Sequence, residues 1–367
     1  MMLEICLLVA AGLYAAEYAI LSIGRRRSSA LPRRVDNVLP SITILVAARN
    51  EESNIERCVR GLLAQVYPRD KLEIIVIDDE SDDGTPEILE RLCVESTGRL
   101  RVYRTSAERS HARGKARAIA QGVDMSSGEI VLLTDADCIP PSQWARSIVS
   151  YFTEQIDALG SFTIVRSQDL FSRIQMLDWF HLQSLACSAM GLGYPIGVLG
   201  NNMAFRRTAY NAVGGYRSIA FSVTEDFELF RAIYKAGGGL RFPCDSDTVM
   251  WTLPCASIAE VVHQKQRWAR GGTSHLFPGA IVLLLAVAML GAFCAAPFVS
   301  QTAWLMVWGA KFTADAVLMF PVMRRLGFAG DIRNFLLFEF YFLAQAIVTP
   351  LFLARRTVVW KGRSYHS

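Results

Sequence analysis

Hydrophobic positions fall into three regimes along this chain. Residues 3–23 are almost wholly apolar, residues 40–160 alternate short apolar runs with helically periodic segments, and long apolar stretches return from residue 279. In the middle regime "SITILVAA" (41–48), "KLEIIVIDD" (71–79), "RLRVYRT" (99–105) and "GEIVLLTD" (128–135) have strand length. The runs that lack polar alternation suit strands covered on both faces. Between them, "SNIERCVRGLLAQ" (53–65), "TPEILERLCVE" (85–95) and "ARGKARAIAQGVDM" (112–125) carry the helical spacing of apolar residues. Ser53 and Glu56 stand at the spacing of a capping box. This β-α-β-α rhythm predicts an α/β fold with a mainly parallel, Rossmann-like, doubly wound sheet. Ligands bind such sheets beyond the carboxyl ends of the strands.

The outer regimes predict membrane contact. The apolar run Leu3 to Ile23, broken by Glu4 and Glu17, is followed at once by Arg25, Arg26 and Arg27, then Arg33 and Arg34. A cleaved leader carries its positive charge before the apolar run and small residues after it. The reversed order predicts an uncleaved anchor over residues 1–24, with the chain that follows on the cytoplasmic side. Glu17 leaves a helix lying partly in the interface as the alternative. Gly279–Pro297 carries no charge. Trp304–Met323 contains Lys311 and Asp315, spaced to pair on a helix, and Phe335–Ala354 contains Glu339 and Pro350. Residues 279–354 are thus expected to form a transmembrane region, followed by a basic tail over 355–367. Three full spans would leave that tail opposite the domain, against the usual charge asymmetry, so one segment is expected to be re-entrant or interfacial. "DLFSRIQMLDWFHLQSLACSAM" (169–190) is apolar but interrupted by Asp169, Arg173, Asp178 and His181. It reads as a helix at a membrane surface or a buried domain helix.

Composition sharpens this picture in two places. The 52 % hydrophobic content and mean hydropathy of +0.26 are high for a soluble chain, and the excess sits at the two ends. A net charge of +4 is too small to imply nucleic acid, which is not expected as a partner. The 8 cysteines form no CxxC pair, which predicts reduced thiols in place of a disulfide framework or zinc site.

Three predicted strands end in polar clusters: "ARNEE", "DDESDDGT" and "DADC". Asp135 and Asp137 are one residue apart at the end of an apolar strand. At about 5 Å and an effective dielectric near 20 their repulsion is about 3 kcal/mol, and a bound cation is the simplest offset. Each cluster alone reads as turn or capping acids. Together they converge at one edge of one sheet, which capping does not require.

The segments "VAARNEE" (46–52), "VIDDESDDGT" (76–85), "TDADC" (134–138), "TED" (224–226) and "QKQRW" (264–268) occur in that order. In this the chain resembles the membrane-bound family 2 glycosyltransferases of GT-A fold, in the branch of ceramide glucosyltransferases, hyaluronan synthases and poly-N-acetylglucosamine synthases. The resemblance runs from residue 46 to 268 and implies a GT-A domain over 40–272, including the helix at about 169–190. It implies that Ala47, Arg49 and Glu51 border the uracil and ribose of a nucleotide sugar and that Asp79 reads the base edge. Asp135 and Asp137 would hold Mn²⁺ or Mg²⁺ on the diphosphate, with Lys115 approaching it. Asp226 would be the general base, beside Glu225. Gln264, Arg267 and Trp268 would bind diphosphate and acceptor near the membrane, and Asn201 and Asn202 would lie in an acceptor-side loop.

Local chemistry agrees with these types. Carboxylates and phosphate oxygens are the usual ligands of Mg²⁺ or Mn²⁺. Thr224 is placed to cap a helix with Glu225 and Asp226 in its first, positive turn. Acids placed there only for helix stability are the plainer alternative, as a core aromatic is for Trp268 and a solvated helix residue for His263. No Ser-His-Asp or Cys-His arrangement is apparent, so no covalent intermediate is expected. The expected function is a metal-assisted, inverting, membrane-bound glycosyltransferase. It would move a sugar from a nucleotide donor, UDP-linked, to a hydrophobic lipid-type hydroxyl at the cytoplasmic face of the cell or inner membrane. The alternative is a processive polysaccharide synthase. QxxRW does not separate the two, and the small number of apolar segments favours single transfer. A catalytically silent nucleotide-sugar-binding subunit would need a broken acid set, and every expected acid is present.

Overall fold

A computed structural model describes residues 1–34, 38–106, 112–271, 277–354, 357–360 and 363–366. Helix α1 (Met2–Ser29) precedes β1 (Ile42–Ala48), α2 (Ile55–Leu63), β2 (Leu72–Asp78), α3 (Thr85–Glu95), β3 (Leu100–Arg104), α4 (Lys115–Met125) and β4 (Ile130–Asp135). Then come α5 (Trp144–Val149), β5 (Ala158–Gly160), β6 (Thr163–Val165), α6 (Leu170–Gly191), β7 (Met203–Arg206), α7 (Arg207–Ala212), α8 (Gly215–Ser218) and α9 (Glu225–Lys235). The chain continues through β8 (Leu240–Arg241), β9 (Met250–Thr252), α10 (Ile258–Gly271), α11 (Phe277–Cys294), α12 (Gln301–Arg325) and α13 (Phe335–Ala354). It closes in an antiparallel hairpin, β10 (Thr357–Trp360) and β11 (Arg363–His366).

The central sheet has the order β3-β2-β1-β4-β7-β5-β8, parallel from β3 to β4 and antiparallel at β7. Alternation along each strand divides the apolar runs between two cores. Ile44, Val46, Ile74, Val76, Ile130 and Leu132 face α2, α3 and α5, while Leu45, Ile75, Ile77, Val131 and Leu133 face α4 and α6. Both faces are covered, which is why the runs lack polar alternation. Register brings the polar strand ends together: Ala47 lies beside both Ile77 and Asp135, and Ala48 beside Asp78.

Two expected caps do not form. Helix α2 starts with Asn54, not Ser53, at its N-cap and has no side-chain cap: the Asn54 amide donates to Glu51 and accepts from Arg57, and Glu56 turns outward to Arg60 and Arg91. Thr224 does occupy the N-cap of α9, but its side chain pairs with Ser222 and leaves the first-turn N–H groups free of it.

Helix α6, read from the sequence as surface-lying or buried, is buried on most of its circumference and joins two halves of the molecule. On one side Phe180 and Leu177 enter the core that contains Phe162 and Phe205. On the other, Leu185 and Ala189 pack with Tyr14 and Tyr18 of α1, Met289 of α11 and Leu318 of α12. Its crossing with α1 is close: a Cβ on Gly24 would sit 1.9 Å from the Ser188 carbonyl, and one on Gly191 2.0 Å from that of Gly24. Lys311 and Asp315 pair at 2.7 Å, as their spacing predicts. Glu339 also bonds Lys311, Tyr14 donates to Asp315 at 2.7 Å, and Tyr18 meets His181 at 3.1 Å. Four helices thus share one buried ionic cluster. Asp245 accepts from Arg33 at 3.2 Å and Arg325 at 2.8 Å, fastening the segment after α1 and the end of α12 to the sheet domain.

Helices α1 and α12 are long and apolar enough to cross a membrane. They are not separable from the domain. Met319, Val322 and Met323 of α12 and Phe338 of α13 belong to the same core as Phe162 and Phe180. Truncating one such side chain costs about 2–5 kcal/mol against a total stability of about 5–15 kcal/mol. Deleting residues 279–367 is therefore expected to yield aggregated protein. Recovery of a monodisperse, cooperatively melting domain by size-exclusion chromatography would show that the sheet domain stands alone.

Candidate active site

The aligned strand ends open into two cavities that meet at Asp135 and Asp137. The smaller, about 180 Å³, is lined by Ala47, Arg49, Glu51, Asp79, Lys115 and Arg267 together with the two aspartates. The larger, about 640 Å³, leads away past Glu225 and Asp226, between α6 and α10, to Ala286 of α11. Gln264, Arg267 and Trp268 line it, and Arg267 and Lys115 border both cavities.

Each group has a structural cause for its position. Asp135 ends β4 and Asp137 follows two residues on. Asp137 is pushed up to about 6 by burial, then by the charges of Asp135 and Glu51. Lys115 opens α4 directly after Gly114, whose φ of 55° suits glycine. Its ammonium lies 2.5 Å from Asp135 Oδ1 and 3.5 Å from Glu225 Oε1. Burial works against that charge, yet Asp135 and Glu225 hold its pKa above the ordinary lysine value. Lys115 therefore bridges the acids of β4 and those of α9.

Asp226 is fixed at both oxygens. Gly200 N–H donates to Oδ2 at 2.6 Å and Phe227 N–H to Oδ1 at 2.8 Å. Burial and then Glu225 raise it to about 7, while Lys115 and the two N–H groups pull the other way. A carboxyl poised near neutrality in a cavity wall suits proton transfer. Gly200 carries no motif signal in the sequence, yet a Cβ there would lie 3.0 Å from Asp226 Oδ2. Gly200→Ala is expected to displace the carboxylate and lower turnover about 10- to 100-fold without a change of fold. Wild-type turnover in that variant would show that the close approach is not needed.

The remaining expected residues separate into those on the cavities and those off them. Asp79 lines the smaller cavity, with Oδ1 accepting from Arg117 at 2.8 Å and Thr105 at 3.2 Å. Arg117, which the sequence reading passed over, stands two residues beyond Lys115 on the same helix. Arg49 donates to the Asp79 and Glu80 carbonyls at 2.5 and 2.9 Å, bracing the end of β2. Glu51 accepts from Asn54 at 3.0 Å. Asn201 lines the larger cavity and accepts from Thr163 at 2.8 Å. Asn202 does not reach either cavity, contrary to expectation. It is 0 % exposed, accepts from Trp144 Nε1 at 2.9 Å and donates to the Phe162 and Thr248 carbonyls at 2.8 and 2.9 Å. Its amide satisfies core polar groups, and of the two asparagines it is Asn201 that lines the larger cavity.

The carboxylate pair fits a hard divalent ion. It supplies oxygen donors, and the Lys115 ammonium already offsets part of their repulsion at Asp135. Among the described residues no third acidic, histidine or cysteine side chain completes a metal cluster. Substrate oxygens or water must then fill the other positions, the usual arrangement for magnesium on a phosphate.

Residues 43–214 match the family model described as Glycosyl transferase family 2, and residues 130–353, more than half of the chain, match that described as Glycosyl transferase family group 2. The chain belongs to the family 2 glycosyltransferases. Among curated proteins it is similar to a beta-monoglucosyldiacylglycerol synthase of Trichormus variabilis. The two are 30 % identical over 253 residues, which is 65 % of this chain and 50 % of that protein. It is also similar to a poly-beta-1,6-N-acetyl-D-glucosamine synthase of Staphylococcus aureus, 26 % identical over 64 % of this chain and 55 % of that one. The chain spans about half the length of the curated relatives it matches. A solved mannosyltransferase from Pyrobaculum calidifontis, in complex with GDP-Man and Mn²⁺, shares the fold. Its TM-score is 0.63 at 21 % identity, covering 95 % of this chain and 98 % of that one.

Proposed function

We propose that this protein transfers a sugar from a UDP-linked donor to the hydroxyl group of a membrane lipid, with inversion, on the cytoplasmic face. One observation carries the acceptor assignment. The larger cavity runs from Asp226 along Leu182, Leu185, Ile196 and Val198 to Ala286 of the apolar helix α11. An apolar channel leading from a carboxylate to an apolar helix suits an acyl chain with a hydroxyl at its inner end. Exposed Leu3, Val9 and Leu13 on α1, with Leu305 and Met306 on α12, give these helices the apolar outer faces that lipid contact requires. A relative named for diacylglycerol as its glucosylated lipid is in keeping with this reading.

The donor belongs in the smaller cavity. Its base lies toward Ala47 and Asp79, and its diphosphate toward Lys115 and Arg267. Asp135 and Asp137 would hold Mn²⁺ or Mg²⁺, which when bound neutralises charge on the departing diphosphate. Asp226 takes the proton of the acceptor hydroxyl as that oxygen bonds to the anomeric carbon. The bond from that carbon to UDP breaks on the opposite face, and the electron pair leaves with UDP. Glu225 raises the basicity of Asp226 and keeps Lys115 close. The domain is read as residues 40–272, anchored by residues 1–24 and the helices of 279–354.

A second reading, processive polysaccharide synthesis, has one feature in its favour. Trp179 and Trp268 lie edge to face at 5.3 Å on the cavity wall, a surface on which sugar rings can stack. Membranes containing the protein are to be incubated with a panel of radiolabelled nucleotide sugars and then extracted. Label migrating with lipid on thin-layer chromatography is expected. Label retained as high-mass polymer on a gel would replace the lipid reading.

A further inference from the structure

A buried charge pair holds the wall of the larger cavity. Lys265 lies inside QKQRW and is 7 % exposed, and Asp178 on α6 is 4 % exposed. Their ammonium and carboxylate bond each other directly. The same ammonium stands 4.6 Å from the centre of the Trp268 ring, which meets Trp179 edge to face. Trp179, adjacent to Asp178, and Trp268, three residues beyond Lys265, both line the cavity.

Stability alone does not call for this arrangement. Well-packed apolar side chains join two helices as firmly as a buried ion pair, whose desolvation offsets much of its attraction. What a buried pair adds is a single register, because a rotated helix leaves both charges unpaired. Register matters on α10. One residue corresponds to about 100° of rotation, so a slip would carry Gln264 and Trp268 off the cavity. The cation over the indole face extends the constraint to the aromatic itself.

We propose that the Lys265–Asp178 pair is a positioning clamp. It sets the rotation of α10 against α6 and thereby places Gln264 and Trp268 against the acceptor, while touching neither substrate. The inference rests on the acceptor reading above, since it assigns Gln264 and Trp268 to the acceptor, with Arg267 as the residue of α10 that also borders the donor cavity.

The test uses the full-length protein in nanodiscs, with UDP-glucose and dioleoylglycerol as probes. Lys265→Met combined with Asp178→Asn removes both charges without stranding one of them. The double variant is expected to melt cooperatively and to lose at most about threefold in UDP affinity, because Arg267 turns with α10 while Lys115, Asp135 and Asp137 stay in place. Its KM for dioleoylglycerol is expected to rise about tenfold, with kcat within about threefold. Lys265→Arg, which keeps the charge and the ring contact, is expected to retain the wild-type KM. An unchanged KM in the double variant, or a loss of UDP affinity larger than the rise in KM, overturns the clamp. Should the double variant not fold, Asp178→Glu lengthens the pair by one methylene and keeps both charges. A KM raised by more than UDP affinity falls supports the clamp there, and a wild-type KM overturns it. Hydrogen exchange supplies an arm independent of the acceptor. Amides of residues 258–269 are expected to exchange faster in the variant while those of β1 and β4 do not, and unchanged protection of α10 overturns the proposal. A wild type that transfers nothing to dioleoylglycerol counts against the lipid reading, and the exchange arm alone then decides the clamp.

Discussion

Asp226→Asn is expected to lower turnover by about 10² to 10⁴, the usual worth of a positioned general base, while UDP binding survives. The substitution keeps the shape of the side chain and removes its capacity to take a proton. The donor contacts proposed above belong to the smaller cavity, which Asp226 does not line. Two pH signatures separate a base from an acid that only caps α9. Wild-type kcat/KM is expected to rise with pH through about 7, where burial and Glu225 place the group, and the residual activity of the variant is expected to lack that step. Stability moves the opposite way. The folded value lies above the ordinary 3.8, so the native state binds the proton more tightly. Asp226 therefore costs stability progressively as pH rises from about 4 to about 7, and the variant is expected to melt higher at pH 8. A capping acid would instead lose about 1 kcal/mol on substitution and leave turnover per folded molecule unchanged. Retention of more than about a tenth of the wild-type rate, measured per UDP-binding molecule, excludes Asp226 as the base.

Asp137→Ala is expected to abolish transfer, and EDTA to inhibit the wild type reversibly, with recovery on adding Mn²⁺ or Mg²⁺. Several kcal/mol of leaving-group stabilisation are at stake, so the loss should reach about 10³ or more. The donor set also determines how the ion binds. Asp135 shares one oxygen with Lys115, and no third ligating side chain is present among the described residues. An ion held by two carboxylates lacks most of its shell until diphosphate oxygens arrive. Calorimetry is therefore expected to show Mn²⁺ binding weakly alone and much more tightly with UDP. By linkage, UDP should bind more tightly with Mn²⁺ by the same factor. Full activity in excess EDTA would remove the metal from the reaction.

How far the site was legible differs from residue to residue. Asp135 and Asp137 stood out because charged groups at the end of an apolar run are costly unless they serve a purpose, whereas Lys115 and Asp226 were named through the resemblance to the family pattern. Gly200 left no such trace. Its role is the space beside Asp226, a relation between residues 26 apart in sequence that only the folded chain establishes. Asn202 misled for the converse reason. A polar residue in a loop next to a site reads as a contact, and only the fold shows its amide spent on Trp144 and two core carbonyls. Arg117 and Lys265 lay inside quoted motifs but gained meaning from partners on other elements, Asp79 and Asp178.

The sequence by itself determined the α/β rhythm, the parallel sheet and the edge at which the acids gather. Those follow from periodicity and from the burial of both sheet faces, which act over a few residues at a time. It also placed the apolar helices and paired Lys311 with Asp315, again a relation within one helical turn. Tertiary structure decided what lies between these parts. Helix α6 could be read as resting on a membrane or as buried, because its composition suits either. Packing resolved it by bringing Gly24 against Gly191 and Phe180 into the sheet core, so that one helix serves both the domain and the apolar bundle. The split into a smaller cavity at the strand ends and a larger, apolar one is likewise a product of packing. Its walls come from segments as distant as residues 47 and 286, and no local pattern encodes the space they leave between them.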